Sequence, residues 1–114
     1  MKAVFLILNN LDIYEDVMES YYQLGLGATT IDSQGMGKTL LDHEEDFPIF
    51  SSLRKLITED KPYNKTIISV VRDESVCETL VSQIHDLISS IPGAGFMFVL
   101  PVSNCYGSKC FKTE

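Results

Sequence analysis

The sequence predicts an α+β fold in which four strands and two helices follow in the order βαββαβ. Two observations support it: strand-like segments recur along the chain, and amphipathic helical segments follow the first and third of them. A third is the long segment between strands two and three, which reads as neither a strand nor a core helix. This order is typical of a ferredoxin-like sandwich, in which two helices cover one face of a four-stranded antiparallel sheet. At 114 residues the chain is predicted to form a single domain, 1–114.

The first strand and first helix have clear sequence signals. Ala3–Leu8 is apolar at every position, which predicts a central strand. Asp12 is predicted to cap the helix that follows, because Glu15 lies three residues later as in a capping box. Gly25 is predicted to end this helix in a left-handed conformation. The apolar residues lie on one helical stripe: Tyr14, Val17, Met18, Tyr21 and Leu24.

The second strand leads into a pair of glycines. Residues 28–33 alternate, with Thr29, Ile31 and Ser33 on one face. Gly35 and Gly37 then permit positive φ and a close approach by a ligand or another chain. Residues 38–61 form a predicted loop, and long loops inside compact domains are usually functional. The predicted core is therefore 1–37 and 62–102, with a tail at 103–114.

The second half repeats the pattern of strand, helix and strand. Thr66–Val71 is the third predicted strand, and a helix begins at Asp73 or at Ser75. Pro92 stops the helix, and Phe96–Val102 is the fourth strand. The helical stripe contains Val76, Leu80, Ile84, Leu87, Ile88 and Ile91.

Strands one, three and four are apolar on both faces, whereas two helices can cover only one face of the sheet. The second face must therefore be buried by something else, and copies of the same chain are the simplest candidate. The sequence thus predicts an oligomer.

Composition limits the classes of partner. The net charge of −7 argues against binding to nucleic acid or to anionic membranes. The longest apolar run is too short to span a bilayer, and the N-terminus lacks a signal-peptide pattern. Three cysteines without framework spacing are expected to be free thiols in a reducing cytoplasm. A cytoplasmic protein without membrane insertion is expected.

The chain resembles the PII-type nitrogen-regulatory signalling proteins and their PII-like relatives. Three segments carry the resemblance: the opening Met1-Lys2, residues 27–31 leading to Gly35-Met36-Gly37, and residues 92–99, which read PGAGFMFV. They fall in the expected order on the expected elements, and the match covers about residues 1–102.

The resemblance implies a homotrimer with adenine-nucleotide sites between subunits and a long T-loop, here 38–61, that contacts a target protein. That target is a transporter, an enzyme or a regulator. The segment matching the one that lines adenine and ribose contains Thr29, Gly35, Met36 and Gly37, followed by Lys38. The phosphate-binding B-loop is matched by Gly93, Ala94, Gly95 and Phe96.

This chain departs from the family at the phosphate site. Phe96 stands where classical members have a lysine, and no arginine-rich segment follows the last strand. The loop also contains no tyrosine between Lys38 and Pro62, so the classical nucleotidylation site is absent. Because of these departures, a less charged ligand such as AMP or another adenylyl compound fits the remaining residues better than ATP, and so does no nucleotide at all. AMP, ADP and ATP stay candidate ligands.

The predicted loop has an apolar stripe of its own, formed by Ile49, Leu53, Leu56 and Ile57. Two interpretations stay open. The stripe docks on a partner protein, or it folds back onto the trimer as core.

Other sequence features favour no catalytic or metal site. The acidic run 42–46 lacks the spacing of a known metal motif and reads as solvated surface. Cys105 and Cys110 have no zinc-type spacing, and His85 is expected at a partly exposed helix position. No nucleophile and base pair can be read from the spacing, so the protein is not expected to be an enzyme.

The sequence therefore favours a regulatory sensor that binds a small-molecule effector and signals to a target protein. Two alternatives remain. One is a trimeric metal-handling protein of the divalent-cation-tolerance type, which shares this fold, and the other is a small enzyme acting at the interfacial cleft.

Overall fold

The computed structural model describes residues 1–36 and 63–107. Within these ranges the elements follow in the predicted order, with a short 3₁₀ helix at Leu11–Ile13 added before the first α-helix. The strands are β1 (Lys2–Leu8), β2 (Thr29–Gln34), β3 (Tyr63–Val71) and β4 (Gly95–Pro101). The helices are α1 (Tyr14–Gln23) and α2 (Glu74–Ser89).

The four strands form one antiparallel sheet in the order β2-β3-β1-β4. The α+β class, the antiparallel sheet and the central position of β1 are therefore confirmed. Among the described strands, β2 and β4 are the two outer ones. The finer assignment to the ferredoxin-like family of folds stays a prediction.

The core lies between the sheet and both helices. Val4, Leu6 and Leu8 alternate along β1 and are fully buried on the helix side of the sheet. The core also contains Val17 and Tyr21 of α1, Ile67 and Val71 of β3, and Cys77, Leu80 and Ile84 of α2. Burial of each large apolar side chain stabilises the fold by about 1.5–3 kcal/mol. Because both helices pack on the same cluster, the opposite face of the sheet receives no helix from the described chain.

The start of the first helical segment differs from the prediction. Asn10, and not Asp12, is the N-cap: its side-chain oxygen accepts a hydrogen bond of 3.0 Å from the backbone N–H of Asp12. The first turn is a 3₁₀ turn, and α1 begins only at Tyr14. The end is as predicted, since Gly25 has a φ of 69°.

The start of α2 settles the alternative left by the sequence. Asp73 is the N-cap, and its carboxylate accepts hydrogen bonds from the backbone N–H groups of Ser75 (2.8 Å) and Val76 (3.2 Å) and from the Ser75 hydroxyl. The helix ends at Ser89, before the predicted stop at Pro92.

The remaining boundaries shift by a few residues. β3 begins at Tyr63, before the predicted Thr66, and β4 spans Gly95–Pro101 in place of 96–102. Neither α1 nor α2 has the length and apolar character needed to cross a bilayer. The predicted loop 38–61 and the tail beyond residue 107 lie outside the described residues.

Candidate functional site

Two of the segments predicted to bind a ligand lie at the same end of the sheet. Gly35 and Met36 follow β2, and Gly93–Gly95 lead into β4. The strand register places them on opposite edges, because β3 and β1 lie between β2 and β4. Three strand spacings separate them, or about 14 Å. Within one subunit the two segments therefore flank the end of the sheet and do not meet directly.

Thr29 is not brought to this end of the sheet. It opens β2 and pairs with Ile68, whereas Gly35 follows the far end of the same strand. Six residues of extended chain span about 20 Å. A ligand at the Gly35 end could touch Thr29 only if a second subunit supplied it.

Local backbone geometry explains why two positions of the predicted B-loop are glycine. Gly93 has a φ of 71°, the left-handed region that glycine adopts most easily. A Cβ on Gly95 would clash with the carbonyl oxygen of Ile7 and would lie 3.2 Å from Leu8 Cα. Gly95 is therefore required for the close packing of β4 on β1, whether or not phosphate approaches it.

Ala94 connects the turn before β4, here called the Gly93–Gly95 corner, to the residues that follow β1. Its side chain is buried, and its carbonyl oxygen accepts hydrogen bonds from the backbone N–H groups of Asn9 (2.8 Å) and Asn10 (3.0 Å). Its own N–H donates to the Ile91 carbonyl oxygen at 3.1 Å. The Ala94 N–H is therefore already engaged and is a poor candidate for an anion donor.

Phe96 belongs to an aromatic row on the sheet. Its ring lies 6.4 Å from that of Phe98, and Phe98 in turn stacks on Phe5 of β1 at 5.0 Å. Phe96 remains 56% exposed. The Phe96 ring thus extends an apolar surface.

That surface is the face of the sheet opposite the helices, here called the open face. The pairing of β1 with its neighbours places Ala3, Phe5 and Ile7 on it. The register of the other strands adds Thr29, Ile31, Ser33, Asn64, Thr66, Ile68, Val70, Phe96, Phe98 and Leu100. None of these strand positions carries a charged side chain. The open face is therefore neutral and largely apolar in a chain whose net charge is −7.

The exposure of the open face is unusual for a small domain. Large apolar side chains remain substantially exposed there: Ile31 47%, Val70 39%, Phe98 41% and Leu100 47%. Contiguous apolar patches of this kind mark interaction surfaces. β1 and β4 are therefore apolar on both faces, as the sequence predicts, whereas β3 also carries Asn64 and Thr66 on the open face.

On the helix side, β2 is held against the body by polar contacts. The hydroxyl groups of Tyr14 and Thr30 form a hydrogen bond of 3.0 Å. Lys65 Nζ lies 2.6 Å from a carboxylate oxygen of Asp32 and 5.2 Å from the centroid of the Tyr14 ring. The hydrogen bond to Asp32 raises the pKa of Lys65. These contacts fix the outer strand that leads to Gly35.

A row of polar residues crosses the end of the open face next to Gly35, and sequence reasoning missed it. It contains Asn9, Ser33, Asn64 and Thr66, with Asn64 7% exposed. Each residue alone looks like an ordinary polar position near a strand end. Strand alternation was the one sequence signal for this row. It places Ser33 on the same face as Ile31, and Ser33 is followed two residues later by Gly35, so the apolar pattern of that face ends at Ser33.

The cysteines and His85 do not form a ligand site among the described residues. Cys105 is disulfide-bonded, so the expectation of a free thiol is wrong at that position. Cys110 lies outside the described residues. Cys77 is a buried free thiol whose pKa is raised, chiefly by burial. His85 is exposed on α2, as expected, with Nε2 3.2 Å from the Ser89 hydroxyl oxygen.

In the part of the chain that the structure describes, no three metal-ligating side chains gather. Gly37 and Lys38 of the predicted ligand segment lie outside that part, as does the acidic run 42–46. The predicted partner-binding stripe Ile49, Leu53, Leu56 and Ile57 lies outside it too. Comparison of the chain with protein-family models and with curated proteins finds no match.

Proposed function

We propose that this protein is a PII-like regulatory protein: a homotrimer that binds a small adenylyl ligand between subunits and controls a target protein through residues 38–61. The observation that carries the proposal is the open face, a neutral apolar surface bordered at one end by both predicted ligand segments. The element order and the central β1 and β3 support the ferredoxin-like assignment.

The open face supports self-association because of its composition. Association of identical neutral faces buries the Phe5, Phe96 and Phe98 rings without bringing the acidic surfaces together. An acidic protein surface repels nucleic acid, which makes an aromatic sheet face a poor single-strand binder here.

Self-association also supports a ligand site between subunits. Thr29 and Gly35 lie at opposite ends of β2 within one chain. If both contact one ligand, they come from different copies, which agrees with the sites between subunits that the resemblance implies. The neutral Phe96 favours a ligand with few phosphates, so AMP is the preferred probe.

The test combines mass and binding. Light scattering at micromolar concentration is expected to give the mass of three chains, and calorimetry is expected to show AMP binding at least as tightly as ATP. A monomer mass contradicts the trimer, and submicromolar affinity for ATP contradicts the ligand preference. Stoichiometric metal removed by a chelator would instead indicate the divalent-cation-tolerance alternative, and turnover of the nucleotide would indicate an enzyme.

The role of residues 38–61 is tested separately. The last pair of the β2–β3 register joins Gln34 to Tyr63, so the two strand ends that flank this segment lie side by side. Replacing 39–61 with a short Gly-Ser linker is therefore expected to preserve the trimer, because loop closure depends weakly on length. The same change is expected to abolish target binding, and dissociation of the trimer would contradict this role.

A further inference from the structure

A hydrogen-bonded row runs across the end of the sheet near Gly35, from β2 through β3 to the residues that follow β1 and precede β4. The β1–β3 register, which pairs Leu8 with Lys65, continues to place Asn9 opposite Asn64. Ser33 of β2 pairs with Asn64 on the other side. Ala94 lies beyond Asn9, immediately before β4. The order across the sheet is therefore Ser33, Asn64, Asn9 and Ala94.

The direction of the hydrogen bonds in this row follows from counting protons. The single hydroxyl proton of Ser33 is directed to the nearby Asn64 side-chain oxygen. Thr66 therefore donates in its 2.8 Å hydrogen bond to the Ser33 hydroxyl oxygen. On its other side, Asn64 donates from Nδ2 to Asn9 Oδ1 at 3.3 Å. Asn64 thus accepts from β2 and donates to the end of β1.

The row connects both predicted ligand segments. A Cβ on Gly35 would lie 3.8 Å from Asn64 Nδ2, so Asn64 packs beside the first segment. Asn9 reaches the second segment through its backbone N–H, which donates to the Ala94 carbonyl oxygen at 2.8 Å. The Asn64 side chain therefore lies beside the first segment and reaches the second through a single intermediate residue, Asn9.

We infer that Asn64 is a positioning residue that couples the conformation of Gly35–Met36 to that of the Gly93–Gly95 corner. The physical reason is that Asn64 is buried, and a buried amide that loses a partner bears the full cost of desolvation. A displacement of either segment therefore disturbs the hydrogen bonds that hold the other. The regulatory meaning of this coupling rests on the proposed function, in which ligand binding at this end of the sheet controls residues 38–61.

Residue-resolved amide hydrogen exchange of the full-length protein tests the coupling without any ligand. Asn64→Ala removes both side-chain hydrogen bonds and is expected to accelerate exchange about three- to tenfold at Gly35 and at Asn9, Asn10 and Ala94. Ser33→Ala keeps the Asn64–Asn9 bond, so it is expected to accelerate exchange more at Gly35 than at Asn9, Asn10 and Ala94.

Two further pairs of variants separate coupling from loss of stability. Asn9→Asp preserves the side-chain acceptor for Asn64 and is expected to keep the wild-type exchange rate at Gly35, whereas Asn9→Leu removes the acceptor and is expected to raise that rate. Ile84→Val weakens the core on the helix side and provides a control for global destabilisation. Acceleration at Gly35 alone in Asn64→Ala, or a uniform acceleration like that of Ile84→Val, would overturn the inference.

Calorimetry with AMP then relates the coupling to the site. If wild-type protein binds AMP, Asn64→Ala is expected to weaken binding about tenfold while Ile84→Val leaves it unchanged, and equal affinities in all three proteins would overturn the inference. If wild-type protein does not bind AMP, the proposed ligand is wrong. In that case the hydrogen-exchange rates of Asn64→Ala and Ile84→Val alone decide whether the two segments are coupled.

Discussion

Phe98 of β4 stacks on Phe5 of the neighbouring strand β1, with ring centroids 5.0 Å apart and ring planes 3° from parallel. The stack lies on the face of the sheet that neither helix covers. Strand alternation places the next residue, Val99, on the other face of the same strand.

This arrangement provides a matched pair of variants for the interface. Phe98 and Val99 are exposed to almost the same extent, 41% and 38%. Phe98→Lys is expected to dissociate the oligomer, because it places a charge in a neutral apolar interface. Val99→Lys is expected to leave the mass unchanged. Size-exclusion chromatography with light scattering measures both, and dissociation by Val99→Lys alone would assign the interface to the helix side.

Phe96→Lys tests the phosphate preference. An ammonium group close to a phosphate forms a charge-assisted hydrogen bond, so the preference for ATP over AMP is expected to rise about tenfold. Phe96→Leu keeps the surface apolar and is the control. The mass of each variant is measured before calorimetry, because Phe96 also lies on the open face and its substitution can dissociate the oligomer. Trimer loss without any change in nucleotide preference would identify Phe96 as an interface residue only.

The two glycines of the β4 corner are expected to differ in their tolerance of alanine. Gly95→Ala forces a methyl group against the β1 backbone at Ile7, and overpacking of this kind costs about 1–3 kcal/mol or prevents folding. Gly93→Ala only strains a left-handed residue in open space, at about 1 kcal/mol. Urea unfolding measures both. Equal tolerance would show that β4 does not approach β1 as closely as described.

Asp73 is expected to make stability dependent on acid. The Ser75 hydroxyl, followed by the backbone N–H groups of Val76 and Ser75, lowers the pKa of Asp73 below its usual 3.8. Because the pKa is lower in the folded state, unfolding takes up a proton in acid. The stabilisation is therefore present above about pH 4 and is lost as the pH falls through the folded-state pKa.

Asp73→Asn separates this charge effect from capping. It retains an acceptor for the helix N-terminus but does not titrate, so its thermal midpoint is expected to vary less with acid than that of wild type. Asp73→Ala is expected to lower the midpoint at every pH. Parallel acid curves for wild type and Asp73→Asn would contradict the assignment of the N-cap charge.

Tyr21 is expected to make stability dependent on alkali. Burial raises its pKa from 10.0 to about 12, and the neighbouring Ser69 offsets this slightly. Within the described residues, neither hydroxyl meets the geometry of a hydrogen bond. Because the folded-state pKa is raised, the neutral hydroxyl stabilises the folded protein fully at pH values below the unfolded-state pKa of Tyr21. This stabilisation is lost as the pH rises from about 10 to about 12. The loss amounts to about 2–3 kcal/mol.

Tyr21→Phe is expected to remove this alkaline dependence at little cost near neutral pH, because the buried hydroxyl has no good partner. Tyr22→Phe is the matched control, since Tyr22 follows directly in α1 and is 83% exposed. Urea titrations across the alkaline range measure the effect. An unchanged alkaline loss in Tyr21→Phe would show that other groups cause it.

The elements were predictable where one local rule acted alone. β1 and β4 were found because unbroken apolar runs are typical of strands buried on both sides. The start of α1 was not, because Asp12 and Glu15 have capping-box spacing while Asn10 holds the geometry that caps the 3₁₀ turn. Two competing capping signals within three residues cannot be separated by composition.

The sequence identified the segments that border the candidate site but not the contacts between them. Gly95 was recognised as a special position, but its cause is the β1 backbone at Ile7, which is remote in sequence. The row through Asn9 and Asn64 depends on strand register, which becomes known only once the sheet is assembled. The Cys105 disulfide was likewise hidden, because an odd number of cysteines with irregular spacing gives no pairing rule.

The outer position of β4 has a consequence for how this protein is produced. Its seven residues, Gly95–Pro101, include no charge, whereas β2 at the other edge carries Asp32. Charged residues on edge strands prevent uncontrolled pairing with other chains. Among the described residues, that edge therefore lacks the charge that would discourage pairing with other chains, and only Pro101 at its end interrupts it. We expect the yield of correctly folded protein to depend on expression rate and chaperone supply more steeply than its modest size suggests.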